Sequence, residues 1–505
     1  MRKQITGGII LSLIAQMISI IVALVYTPIM IKILGQNEYG LYQYVTSIVN
    51  YLNLMNLGFN GAYIRYYVLA AQKNSETEIA NVNGMFLKIF LFIMTLCLIA
   101  GGFIYCNIGV LGDHLTKQDY SIAKMLLVLM VLNLSISFPN SIFVAFMSAN
   151  ERFVYQKVLN IIINILTPIA SIPLLLIGAG SVGVVSVTLS LNILRFVMNV
   201  WYCLKKLDMK VNFGYFDNLV FKELLSYTFF IFLSDLVDQM NSNVDNFLLG
   251  RKMGTSAVAI YSVGYNLKNY YTIISWLVPE MFIPEVNRLA NDDSKSSELT
   301  DVFIKVGKLN NYLVLLVLSG FFLVGNQFII LWIGEEYEKS YYVALILMIS
   351  GYVPAIQTLG VNIQTAKNMH RMRSIIYFFV ACMNVIMSVF LIEKFGVIGT
   401  CMGTLGAIII GNVFFMNYYY HKKIGLDIFK FWKSVAKWII CVLIITICGR
   451  SFLGFVELNT WTKLVIFCVS YGLIYVTVLY TIELKKNQKH FLKKIIVQLL
   501  NRKKR

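Results

Sequence analysis

The chain has 505 residues, of which 58% are hydrophobic and only 13% are charged. A soluble protein averages roughly 45–50% apolar and about 25% charged residues, so this composition excludes a set of soluble domains and indicates a polytopic helical membrane protein. The formal net charge is +18, and in a membrane protein such an excess is typical of loops that set orientation rather than of a nucleic-acid partner.

Apolar segments long enough to cross a bilayer follow one another along the whole chain. They lie at 8–32, 39–69, 85–106, 121–147, 157–178, 181–203, 222–249, 256–283, 303–333, 341–365, 374–393, 396–420, 432–449 and 461–482. The predicted fold is therefore all-α and polytopic, with about 14 transmembrane helices. The loops between these segments are short, so no soluble domain is inserted.

The basic residues are distributed unevenly between the two sides of the membrane. About 30 of the 43 lysines and arginines fall on the side that holds both termini, and about 9 fall on the opposite side. This bias predicts a multi-pass protein of the cell (cytoplasmic) membrane with both termini in the cytoplasm. Segment 483–505 is either a basic interfacial helix that contacts membrane lipid or a solvated topogenic tail.

Short motifs recur along the chain at a constant shift of about 215–217 residues. The matched pairs are Ala149-Asn150 with Ala366-Lys367, Gly180 and Gly183 with Gly396 and Gly399, and Leu34-Gly35 with Leu249-Gly250. Six predicted helices separate the copies, so both have the same orientation in the membrane. The pattern predicts an N-lobe over 1–215 (spans 1–6) and a C-lobe over 216–428 (spans 7–12). Spans 13 and 14 (429–482) and a basic cytoplasmic tail (483–505) follow.

The seventh span carries an unusual group of polar residues. Asp238, Asn241 and Asp245 recur on one helical face, and Asp235 joins the same stripe. Carboxylates in a span are costly in lipid, so they usually face the bundle interior or a watery cavity. The stripe is interpreted either as an ion-coupling site for a proton or Na⁺, or as a polar seam between helices. For Asp245, near the outer end, the structural interpretation is favoured.

Basic residues within the spans are the candidates for binding an anionic substrate. Arg65, Arg195 and Lys268 are predicted to form a vestibule, since a guanidinium matches a phosphate bidentately and an ammonium acts as a point charge. The alternatives are snorkelling to lipid headgroups for Arg65 and neutralisation of a span-7 aspartate for Lys268. The repeat shift pairs Arg65 with Glu280, which suggests a gate between the lobes.

Signatures of enzymatic sites are missing from the sequence. It has no P-loop, hydrolase elbow or dinucleotide fingerprint, and its eight cysteines and four histidines show no metal-ligand spacing. We therefore predict a protein that is not an enzyme and has no cofactor, no metal and no catalytic residue.

Two stretches carry a resemblance to a known family. Pro28–Tyr42 resembles the first-helix signature of bacterial oligosaccharide and polysaccharide repeat-unit flippases, and Asp245–Gly250 with Ala257–Gly264 resembles their seventh-to-eighth-helix signature. The resemblance implies a V-shaped two-lobe exporter fold with alternating access, and an undecaprenyl-diphosphate-linked sugar unit as substrate. It implies a role in capsule or exopolysaccharide synthesis beside a polymerase and glycosyltransferases. Multidrug exporters of the same superfamily often keep an acidic cation site on helix 1, whereas this chain has no acidic residue before Glu38.

Three alternatives to this function remain open at the level of sequence. A cation-coupled multidrug exporter would have twelve helices and an acidic rather than basic cavity, and a peptidoglycan lipid-precursor flippase would share the fold. An integral-membrane polymerase or ligase of the same pathway would need a large outward loop, which the short connections do not provide.

Overall fold

The computed structural model describes residues 2–73, 75–112, 115–290, 296–367, 369–454 and 456–482. Within these ranges the chain forms helices and turns and contains no strand, as the hydropathy pattern predicts. The basic helix or tail predicted for 483–505 lies outside the described residues.

Long helices account for the first half of the chain. They are α1 (Arg2–Leu52), α2 (Phe59–Gln72), α3 (Glu76–Cys106), α4 (Lys117–Ala149), α5 (Phe153–Leu176), α6 (Gly180–Lys206), α7 (Asn218–Met253) and α8 (Thr255–Glu280). Short 3₁₀ turns at Asn53–Asn56 and Ile108–Leu111 follow α1 and α3.

The second half continues with shorter helices interspersed. They are α9 (Ile283–Ala290), α10 (Ser296–Ile333), α11 (Lys339–Ile356), α12 (Leu359–Ala366), α13 (His370–Phe395), α14 (Val397–Ile408), α15 (Asn417–Tyr419), α16 (Ile428–Leu453) and α17 (Trp461–Ile482). A 3₁₀ turn at Glu335–Tyr337 precedes α11, and π-helical turns at Ile409–Met416 and Tyr420–Ile424 extend α14 and α15.

Each predicted span coincides with helical structure, and eleven stretches of the described chain are long and apolar enough to cross a membrane. One of these, Ala15–Gln72, covers most of the first predicted span (8–32) and all of the second (39–69). The helices of spans 7 and 8 are not among the eleven; the polar stripe on α7 makes it less apolar than its neighbours. The chain is therefore a multi-pass membrane protein, with a span count near the predicted fourteen.

The first two spans are separated by a bend within α1. Gly35 has φ 74° and ψ 170°, a conformation that interrupts the helix and that side chains other than glycine rarely adopt. The second span then breaks again at the 3₁₀ turn before α2, where Leu57 and Gly58 both have positive φ. Two continuous apolar runs in the sequence thus become three helical segments, with a 3₁₀ turn before the third.

Contacts divide the described chain into two compact units. The first comprises the described residues within 1–265 and 371–411, and the second comprises those within 266–370 and 412–482. The lobe boundaries expected from the repeat, at 215/216 and 428/429, stay predictions.

Within the first unit, α4 is central because it packs against α2, α3, α5 and α6. Its N-terminus is fixed by a capping box in which Thr116 accepts from the Asp119 N–H and Asp119 accepts from the Thr116 N–H. Two polar contacts then tie α4 to α6: Asn192 Nδ2 donates to Asn133 Oδ1 at 2.6 Å, and Asn199 Nδ2 donates to Asn140 Oδ1 at 2.9 Å. Because the partners are seven residues apart on both helices, they form one ladder between α4 and α6.

Within the second unit, α10 packs against α11, α16 and α17. The Trp438 indole N–H donates to Tyr475 Oη at 2.9 Å, and this hydroxyl donates onward to the Tyr312 carbonyl at 2.7 Å. The Tyr471 hydroxyl likewise donates to Ser319 Oγ on α10 at 2.6 Å. The last two helices, which stand outside the sequence repeat, are therefore joined to the unit by buried aromatic hydrogen bonds.

One pair of glycines supports the internal repeat. Gly180 and Gly396, each at the start of a helix and 216 residues apart, both have φ 58°. The third matched pair behaves differently, because Gly250 lies inside α7 against Tyr44, whereas Gly254 at the end of α7 has the positive φ that matches Gly35. The glycine that shares the backbone conformation of Gly35 is therefore Gly254, four residues after Gly250, the glycine that the sequence repeat pairs with Gly35.

The Tyr475→Phe variant tests the attachment of α16 and α17. Loss of the hydroxyl leaves the buried Trp438 N–H unsatisfied, so we expect the free energy of unfolding to fall by about 1–3 kcal/mol. Thermal unfolding of the purified protein in detergent measures this. Tyr418→Phe, at a side chain that is 65% exposed, is the matched control and leaves the melting temperature unchanged. Equal melting temperatures for both variants would contradict the role of the hydroxyl.

Candidate functional site

Helix α7 presents the acidic stripe and begins at a strong cap. Asp217 accepts from the N–H groups of Leu219 at 2.8 Å and Val220 at 3.2 Å, and the Val220 and Leu219 hydrogen bonds hold the pKa of Asp217 below its usual value. The helix ends at Gly254, which has φ 84°. Between these two points the helix is continuous, so the stripe lies on one rigid element.

The four polar residues of the stripe have different environments. Asp238 is exposed, Asp235 and Asn241 are partly buried, and Asp245 is 2% exposed. Asp245, for which the sequence favours a structural role, is therefore the most deeply buried of the four residues.

The carboxylate of Asp245 lies against hydroxyl groups from two other helices. The Tyr261 hydroxyl on α8 donates to Asp245 Oδ2 at 2.7 Å, and Thr404 Oγ1 on α14 lies 3.2 Å from the same oxygen. Thr404 Oγ1 is also 3.1 Å from Asn384 Oδ1 on α13 and 3.2 Å from the Thr400 carbonyl oxygen. Since a hydroxyl has a single proton, Thr404 can satisfy only one of these three acceptors.

This oxygen cluster therefore has more acceptors than donors. Asp245 Oδ1 is buried and has no hydrogen-bond partner within the described part of the chain. A buried carboxylate without a compensating partner is costly. A proton on Asp245, or a monovalent cation held by its carboxylate and the nearby oxygens, would remove that cost.

The sequence carries a further signal for this cluster outside α7. Asn384 and Ser388 are four residues apart on α13, and Thr400 and Thr404 are four residues apart on α14. Polar pairs at this spacing put both side chains on one helical face. Which helix they face is a matter of packing, so the pairs alone did not identify Asp245 as their partner.

Arg195 lies in a second polar region of the same unit. Its Nη2 donates to Asn192 Oδ1 at 2.6 Å and its Nη1 donates to Asn160 Oδ1 at 3.4 Å. Asn192 is in turn held by Asn133 in the α4–α6 ladder. These contacts fix the guanidinium plane on the inner side of α5 and α6 instead of letting it extend to lipid headgroups.

The guanidinium lines a cavity of about 270 Å³ between α2, α4, α5 and α6. The lining contains two hydroxyls, Ser137 and Ser141, and five carboxamides: Asn60, Asn140, Gln156, Asn160 and Asn199. Among the described lining residues there is no carboxylate, and Val144 and Leu159 are the apolar ones. A cavity this polar inside apolar helices is suited to a hydrophilic guest.

The remaining predicted residues do not line this cavity. Arg65 is exposed on α2 of the first unit, and it is not among the described residues that form the cavity wall. Lys268 is partly buried on α8, and Glu280 is the exposed last residue of that helix; both belong to the second unit. The vestibule of Arg65, Arg195 and Lys268 and the gate between Arg65 and Glu280 stay predictions.

Comparison with known proteins relates this architecture to a family and a fold. Residues 29–342 match the family described as "Polysaccharide biosynthesis protein". A Shigella flexneri protein named as an O-antigen transporter is 20% identical over 378 residues, which are 73% of this chain and 86% of that relative.

Solved structures show the same fold. The lipid II flippase MurJ, in an inward closed conformation, aligns with a TM-score of 0.72 at 18% identity over 94% of this chain and 99% of that one. An inward-facing multidrug resistance MATE family transporter of the MOP superfamily aligns with a TM-score of 0.60 at 13% identity over 79% and 93%. This chain therefore has the fold of that superfamily, as expected from the sequence.

The ladder between α4 and α6 predicts strong coupling between its members. Asn199→Leu and Asn140→Leu each leave a buried amide of the partner unsatisfied, so each should lower the free energy of unfolding by about 1–3 kcal/mol. The double variant should lose about 0.5–3 kcal/mol less than the sum of the single losses, because it leaves no orphaned partner. Thermal or denaturant unfolding in detergent measures the free energy of unfolding of the wild type, the two single variants and the double variant.

A matched cycle uses Asn140→Leu with Asn164→Leu. Asn164 is exposed and donates to Ser19 rather than to α4, so the two effects should add. Additivity in the Asn140 and Asn199 cycle as well would contradict the ladder.

Proposed function

Because the chain belongs to the polysaccharide biosynthesis protein family, we propose that it is a flippase for undecaprenyl-diphosphate-linked oligosaccharide repeat units. It would move them from the inner to the outer leaflet of the cytoplasmic membrane by alternating access, with both of its termini in the cytoplasm. Its family and fold are those of transporters and flippases rather than of enzymes.

The polar cavity around Arg195 is the observation that carries this proposal. A lipid-linked sugar has a bulky hydrophilic head and an apolar tail, and only the head needs a hydrophilic path through the membrane. Carboxamides, hydroxyls and one guanidinium inside a bundle of apolar helices supply the groups that such a head requires. Arg65, Arg195 and Lys268 are the proposed basic contacts of the substrate.

The membrane potential favours this direction of transport. Moving one elementary charge across 100 mV is worth about 2.3 kcal/mol, and an inside-negative potential drives an anion outward. A diphosphate head thus gains energy on export, reduced by whatever charge the carrier moves with it.

We further propose that Asp245 couples transport to a monovalent cation or a proton. Its buried carboxylate has one oxygen without a partner in the described part of the chain, the hydroxyls of Tyr261 and Thr404 contact its other oxygen, and Asn384 contacts Thr404. One carboxylate with several neutral oxygens balances a single positive charge, which disfavours a divalent ion. In this proposal Asp235, Asp238 and Asn241 line the approach along α7.

Deletion of the gene tests the transport proposal. We expect the undecaprenyl-linked repeat unit to accumulate on the inner leaflet and the surface polysaccharide to disappear, with both restored by the cloned gene. Leaflet-specific labelling of the extracted lipid measures this. Repeat units reaching the outer face at the normal rate, in a strain with no other flippase, would reject the proposal. Accumulation of a peptidoglycan precursor instead would identify that precursor as the substrate.

The Asp245→Asn variant tests ion coupling separately. The amide keeps the shape but cannot carry the charge that a cation or proton balances, so export driven by an imposed Na⁺ or proton gradient should fall at least about tenfold. Export is measured in energised vesicles with each gradient in turn. Glu335→Gln, at an exposed acid after α10, is the control and keeps the gradient dependence. An unchanged gradient dependence in Asp245→Asn returns this residue to a structural role.

A further inference from the structure

The cavity around Arg195 contains three buried polar atoms that the protein itself leaves unpaired. They are Arg195 Nε, Asn60 Oδ1 and Asn199 Oδ1, none of which has a hydrogen-bond partner in the described part of the chain. Asn199 is only 3% exposed, and its Nδ2 is already committed to Asn140. An unsatisfied buried polar atom costs about 1–3 kcal/mol, so a bound guest that pairs with these atoms gains that energy.

The unpaired atoms specify the chemistry of that guest. One of them is an N–H donor and two are carbonyl oxygens that accept, so the matching group must both accept and donate hydrogen bonds. A hydroxyl does both, whereas the oxygens of a diphosphate only accept. A diphosphate placed here would meet Arg195 favourably but would leave both carbonyl oxygens facing negatively charged oxygens.

Two of the five guanidinium N–H groups of Arg195 are already used inside the protein. Nη1 and Nη2 each donate one N–H, to Asn160 and Asn192, and Nε is the guanidinium nitrogen without a partner in the described part of the chain. These two contacts restrict rotation of the guanidinium, so Arg195 is an oriented donor. The carbonyl oxygens of Asn60 and Asn199, which line the same cavity, are the groups that disfavour a diphosphate here.

The size of the cavity limits what it can hold. Its volume of about 270 Å³ is just below the roughly 300–1,000 Å³ of typical small-molecule pockets. That space suits one sugar ring rather than a complete oligosaccharide or a polyprenyl tail.

We propose that this cavity is a subsite for a single neutral sugar ring of the lipid-linked substrate, and that it does not bind the diphosphate. This assignment rests on the proposed flippase function and refines it. Arg195 Nε donates to a sugar hydroxyl, and Asn60 and Asn199 accept from hydroxyls of the same ring. The diphosphate is bound by other groups, for which Arg65 and Lys268 are the proposed candidates.

Two lipid probes that differ only in the sugar test this subsite. The full-length protein in nanodiscs is titrated with undecaprenyl diphosphate and with the lipid-linked repeat unit extracted from the deletion strain. Asn60→Leu and Asn199→Leu should each weaken binding of the repeat-unit lipid about tenfold, the loss expected for about 1.4 kcal/mol. Their affinity for undecaprenyl diphosphate should stay at the wild-type value, which also shows that the variants are folded. Asn164→Leu, on α5 outside the cavity, should bind both probes like the wild type.

Each other outcome overturns the subsite in a distinct way. An equal loss of affinity for both probes would mean that the cavity binds the diphosphate. Unchanged affinity for both would mean that it holds only water. A wild-type protein that does not bind the repeat-unit lipid would reject the proposed function, and the subsite with it.

Discussion

The structure depends on one constraint: polar side chains inside membrane-spanning helices have no bulk water to satisfy them. Each must find a partner in the protein or remain at a cost of several kcal/mol in hydrocarbon. The chain meets this constraint mostly by pairing neutral groups. Asn140 with Asn199 joins α4 to α6, and Trp438 with Tyr475 joins the last two helices to each other and, through the Tyr312 carbonyl, to α10. These pairs also specify which helices are neighbours, because a helix in the wrong register would leave the buried polar groups without hydrogen-bond partners.

Two places where the first unit leaves polar atoms unsatisfied stand out against this background. One is the Asp245 cluster, where oxygens outnumber hydroxyl protons, and the other is the Arg195 cavity, where one donor and two acceptors have no partner among the described residues. The two sites have different chemistry, since the first has a deficit of positive charge and the second has an amide-rich wall with one guanidinium. The two groups of residues lie on separate helices of one unit, and the proposed function assigns the ion to the first and the sugar to the second.

The placement of charge follows the same constraint. In the sequence, most lysines and arginines fall outside the predicted apolar spans or near their ends, a distribution that predicts a role in orientation rather than in binding. Arg195 differs because Asn160 and Asn192 hold it between helices, and Asn192 is itself held by Asn133. Two direct amide contacts thus fix the position of this charge, unlike that of a snorkelling side chain, and its contact with substrate belongs to the proposed function.

The sequence alone determined the helical class, the approximate number of spans and the family resemblance, because hydropathy over about 20 residues is set by the bilayer thickness. It also indicated Arg195 and Asp245 as unusual, since charged residues within spans are rare. Only the tertiary structure decided their surroundings. The α7 periodicity put four polar residues on one face but could not tell that Asp245 meets Tyr261 and Thr404 while Asp238 stays exposed. Tyr261 comes from the next helix and Thr404 from a helix 159 residues further along the chain, and their meeting with Asp245 depends on side-chain packing that no local pattern encodes.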